Sequence, residues 1–186
     1  DMRSTMAVLV AAGVMVVMGT PPAQATVRER FSEHEDYEYV QDCGFAVEVT
    51  GSLDNAFILR EGKNQDAGAF PVLNRTAFSE RWTNAETGEW FTIRGHAVFN
   101  EIGATRVEGS IFEFRAVEAG QPFVVEDSDG SIVESNSGSV HISYLFDTLG
   151  DDVPGGEWIA DVGFRVAGPH PSLFADPCEY AVQLIG

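Results

Sequence analysis

From Cys43 onward apolar and polar residues alternate with a period of two, the pattern of strands with one buried face. In CGFAVEVTG, Cys43, Phe45, Val47 and Val49 share one face, and Gly44, Ala46, Glu48 and Thr50 the other. AFILRE follows, then AFSERWTN with Phe78 and Trp82 on one face. The cluster Thr83-Asn84-Ala85-Glu86-Thr87-Gly88 reads as a hairpin connection. The next strand sets Phe91, Ile93, Ala97 and Phe99 against Trp90, Thr92, Arg94 and His96. TRVEGSIFEFRAVEAG aligns Phe112, Phe114 and Ala116, and PFVVEDSDGSIVES turns at Asp129-Gly130. SVHISYLFDT sets Val140, Ile142, Tyr144 and Phe146 against His141, Ser143 and Asp147. EWIADVGFRVAG sets Trp158, Ala160, Val162, Phe164 and Val166 against Asp161 and Arg165.

Beyond residue 25 no segment keeps a helical period over three turns. The tail DPCEYAVQLIG leaves two readings, a short helix with Asp176 as N-cap and Pro177 as first residue, or a last strand. About eight strands joined by turns predict an all-β chain, an antiparallel up-and-down β-barrel whose closure hides the edges; a β-sandwich is the alternative. Ahead of the strands, TVRERFSEHEDYEYVQD (residues 26–42) is so charge-dense that it reads as a mobile acidic arm, and residues 43–186 as a single β-barrel domain.

Residues 1–25 have another character. One Arg, an apolar run from Ala7 to Gly19, Pro21-Pro22 and the triplet Ala23-Gln24-Ala25 have the layout of a secretory signal peptide. The run is shorter than the roughly 20 residues that span a bilayer, and no later stretch is apolar enough to try, so no transmembrane segment is expected. The expected location is extracellular. The formal net charge of -18 is the same without residues 1–25, which hold one acid and one base. Such a charge disfavours nucleic acid, whose binding needs clustered Lys or Arg. Two cysteines in an exported chain, Cys43 and Cys178, predict one disulfide bond.

Cys-Gly-Phe-x-Val at Cys43–Val47, Thr50-Gly51, Thr83-Asn84-x-x-Thr87-Gly88 leading into a strand, and the closing Cys178 resemble a family of small secreted actinobacterial proteins that is uncharacterised. The resemblance implies export, a β-barrel of lipocalin-like or allene-oxide-cyclase-like shape and the disulfide. It implies no catalytic residue.

The chemistry-bearing residues form no recognisable catalytic motif. There is no G-x-S-x-G elbow, and Ser139, His141 and Asp147 read as a solvent-facing row. The histidines at 34, 96, 141 and 170 lack metal-ligand spacing, and the D-x-D-G of residues 127–130 lacks a closing Glu at the distance a calcium loop requires. No metal or other cofactor is expected. The mixed face carrying Trp90, Arg94, His96, His141, Asp161 and Arg165 is the candidate ligand-binding set, should that face point inward. The simpler expectation puts the apolar faces inside, with a mostly packed interior and a small pocket at one mouth. The sequence therefore favours a non-enzymatic binding or interaction module for a small apolar or amphipathic ligand. The alternative is a cyclase- or isomerase-like enzyme working inside the barrel. Oligomeric state is not set by these patterns.

Overall fold

The computed structural model describes residues 26–61, 68–151, 153–170 and 175–186; the signal expected at residues 1–25 lies outside them. The described chain is an antiparallel meander of seven strands, β1 (Thr26–Asp42), β2 (Ala46–Glu61), β3 (Val72–Asn84), β4 (Trp90–Glu108), β5 (Ile111–Glu126), β6 (Ile132–Asp147) and β7 (Glu157–Ala167), followed by helix α1 (Pro177–Ile185). Each strand pairs with the next in one sheet. The all-β, up-and-down expectation holds, with seven strands. Pairing runs from β1 to β7 and, among the described residues, does not return from β7 to β1, so the sheet is not closed into a barrel.

The sheet nonetheless curls, since Leu59 on β2 and Tyr144 on β6 line one cavity. Register shifts concentrate between β4 and β5, at Arg94/His96, Glu101/Gly103 and Arg106/Glu108. Bulges of this kind bend a strand and raise its twist. Gly95 sits where the bend brings strands together: a Cβ there would lie 2.2 Å from the Pro122 carbonyl oxygen.

The segment expected as a mobile arm is instead β1, paired with β2 from Thr26↔Glu61 to Asp42↔Ala46. Three aromatics secure it. Phe31 stacks on Phe57 with ring centroids 4.7 Å apart, Tyr39 meets Trp82 edge-on, and Tyr37 lies over Gly51 and donates its hydroxyl to Glu80 at 2.8 Å. Its charge density has another cause: β1 is an edge strand, and acidic side chains there deter a further strand from pairing.

The inner face carries two apolar clusters. Val47, Val49, Trp82, Phe91, Ile93 and Val125 pack at one end, where α1 lays Tyr180, Ala181 and Ile185 over them. Phe112, Phe114, Ala116 and Tyr144 pack at the other. Between them lies a polar waist in which Thr76 donates to Asn55 at 2.8 Å and Asn74 to the same oxygen at 3.2 Å.

The tail resolves to a helix for local reasons. The Asp176 side chain accepts from the Cys178 N–H at 2.9 Å, and Pro177 needs no hydrogen-bond acceptor in the first turn. Cys178 is bonded to Cys43, with Cα atoms 5.1 Å apart. The disulfide thus forms without barrel closure, because the helix, and not a last strand, returns the chain end to the start of β2. At its far end Asn84 donates to the Ile185 carbonyl at 2.7 Å while its own Oδ1 accepts from Glu86 and Thr87. The hairpin turn at 83–88 is therefore also the cradle of α1.

Candidate functional site

The residues of the mixed face do not converge. Trp90, Arg94 and His96 lie on β4, His141 on β6, and Asp161 and Arg165 on β7, with β5 intervening. His96, His141, Asp161 and Arg165 are exposed, while Trp90 and Arg94 are half-buried. Arg81 covers the Trp90 ring at 3.9 Å and Arg94 pairs with Glu126. Only His141 and Arg165 are cross-strand neighbours. Ser139 approaches His141 at 3.4 Å, whereas Asp147 is turned to the Leu149 N–H at the strand end.

A broad depression of about 590 Å³ crosses the outer face of β1–β4 between His34, Asp54, Arg75 and His96. In register His34, Asp54, Ala77 and His96 share that face, and all are exposed. His34 bonds Asp54 at 2.7 Å, and this contact, with Asp36 nearby, holds its imidazole above the usual histidine range. Among the described residues no group of three or more His, Cys, Asp or Glu side chains is placed to hold a metal ion.

A smaller cavity of about 200 Å³ opens at the inner end opposite α1. Smaller as it is, it contains the most perturbed chemistry. Leu59, Phe70, Val72, Phe114, Tyr144 and Phe146 supply an apolar wall, and Glu101 is set into it. Alternation explains the placement: Phe91, Ile93, Ala97, Phe99 and Glu101 follow one another at every second or fourth position, so the face that builds the core also carries this acid inside. Glu101 is 7% exposed. The Tyr144 hydroxyl donates to its Oε1 and the Val72 N–H to its Oε2, while Arg60 bonds the Glu101 carbonyl at 2.8 Å.

Burial pushes the Glu101 carboxyl above the usual carboxylate range, against the opposing pull of Tyr144, Val72 and Arg60. Burial and the neighbouring carboxylate likewise raise the Tyr144 phenol, which stays protonated as a donor. The aromatic walls meet at right angles: Phe114 and Tyr144 stack at an interplanar 10°, and Phe146 stands edge-on to Phe114 at 82°.

Tyr144 was legible as a core position of its strand. Glu101 was not singled out, although continuing the inner-face alternation two residues past Phe99 reaches it. Comparison with protein-family models, curated proteins and solved structures found no match.

Proposed function

We propose that this chain is an exported, non-enzymatic binding module that holds a small, largely apolar ligand in the inner pocket, with Glu101 and Tyr144 fixing its one polar group. The carrying observation is a buried carboxyl in an aromatic cavity. Placing an acid there costs stability that a leucine would not, so packing alone gives a poor account of it. A cavity with apolar walls and one convergent polar pair is how small-molecule sites are generally built. The disulfide is compatible with an extracellular protein, and no described helix is long and apolar enough to cross a membrane.

A second reading, a cyclase or isomerase acting on a small apolar molecule, draws on the same pair, because a carboxyl with a raised pKa is suited to exchanging a proton. Among the described residues no histidine lines this cavity to act as a second acid or base, which favours binding over turnover.

Magnetic resonance of the disulfide-bonded protein, titrated with small alcohols and aromatics, tests the proposal. Shifts should concentrate at Val72, Phe114, Tyr144 and Phe146. Shifts confined to the outer depression, or none at millimolar ligand, would overturn it.

A further inference from the structure

Resting on the reading of this pocket as a ligand site, we infer that its ligand class is a small organic cation, an alkylammonium head of the size of tetramethylammonium. Four of the lining side chains, Phe70, Phe114, Tyr144 and Phe146, are aromatic, Phe70 already carrying the Arg28 guanidinium over its ring at 4.4 Å, and the one carboxyl among them is Glu101. Aromatic faces carry negative quadrupole charge, so rings set at right angles around a desolvated space attract a cation from several sides. Phe114 and Phe146, edge to face at 82°, supply such a corner, while the Tyr144 ring stacks between Phe114 and Trp158 and contributes its hydroxyl edge. Glu101 adds a countercharge at its edge.

The volume agrees. About 200 Å³ is small for a lipid-like molecule, since pockets for drug-sized ligands run from roughly 300 Å³ upward, but it suits a compact head group. A purely apolar ligand would leave the Glu101 carboxyl facing hydrocarbon, and an anion would face it directly. A bare ammonium would lose hydration that few acceptors here replace, whereas an alkylated one carries its charge on apolar methyl groups. Arg60 bonds the Glu101 main chain and, at its side chain, Asn100 at 2.7 Å. Its charge lies near Glu101 and offsets part of the attraction, so the rings must supply the selectivity. The net charge of -18 raises the local concentration of any cation at the surface. That contribution is unselective and screened by salt, which allows it to be separated from the pocket.

Calorimetric titration of the full disulfide-bonded protein with choline, and with its uncharged isostere 3,3-dimethylbutan-1-ol, decides the matter. At 0.15 M salt and above, choline should bind about tenfold more tightly than the alcohol. Phe146→Leu, which keeps an apolar wall but removes a ring, should weaken choline and leave the alcohol nearly unchanged. Glu101→Gln should reduce the preference further. Equal or tighter binding of the alcohol would overturn the cation class while leaving a ligand pocket in place. Failure of both compounds would remove the pocket reading itself. Choline binding that vanishes at high salt and ignores both variants would assign the effect to surface charge and overturn the inference.

Discussion

Glu101 is protonated more readily in the folded chain than in the unfolded one, because burial penalises its charge. The sign follows from proton linkage: between the ordinary carboxylate pKa and the raised folded value the native state binds more protons, so this group's contribution falls as pH rises through that window and stays lost above it. Glu101→Gln should therefore gain stability relative to the parent as pH rises. The amide can accept from Val72 and donate to Tyr144, so the local bonds survive. Urea unfolding of both proteins at pH 5 and pH 8 checks this; a difference that shrinks towards pH 8 contradicts the assignment. Tyr144→Phe acts oppositely, removing a donor that favours the ionised acid. It should destabilise by about 1–3 kcal/mol at neutral pH, the usual cost of leaving a buried polar group unsatisfied. At the outer face, Asp54→Asn should lower the His34 pKa, measured by ring-proton titration, since Asp54 is its main source of elevation.

At the scale of elements, the faces of β2 to β6 were written plainly in the sequence and the lengths were not. On β7, by contrast, the aligned apolar residues Trp158, Val162, Phe164 and Val166, expected inside, are exposed on the last strand of the sheet. Phe91, Ile93, Ala97 and Phe99 turn inward as alternation required, and Arg94 and His96 lie on the opposite face. The runs ending at Thr50 and beginning at Ala56 form one strand, β2. Gly51, whose missing side chain makes room for the Tyr37 ring, looks like a break only until that ring is known. β1 was hidden for a related reason, because an edge strand exposed on both sides needs few apolar residues and carries many charges. Glu101 escaped notice because an inward acid contradicts the pattern that otherwise locates the core, and such local contradictions are where function tends to reside. Gly95 makes the bend testable: Gly95→Ala forces a Cβ against backbone, which cannot yield as a side-chain end can. A loss of about 1–3 kcal/mol, typical of overpacking, is expected in thermal or urea melts.

At the scale of the molecule, an open sheet must keep its inner face dry at both ends, and the chain does so differently at each. One end keeps the aromatic pocket; the other is plugged by α1, a nine-residue helix too short to persist alone. The plug holds through Asn84, the Asp176 cap, the burial of Tyr180, Ala181 and Ile185, and the bond from Cys178 to Cys43. That bond spans a sequence separation of 135 residues, for which chain-entropy models give about 4–5 kcal/mol. Reduction should therefore lower stability by up to about that amount, and the loss should begin locally. With the tether cut, amides of residues 178–185 should exchange first, and the Trp82 end of the core should open to water. The pocket around Glu101, built on β2–β6 and lacking any α1 residue, should keep its resonances until global unfolding. Hydrogen exchange with and without reductant separates these events. Simultaneous loss of protection at both ends would show one cooperative core and refute the independence of plug and pocket.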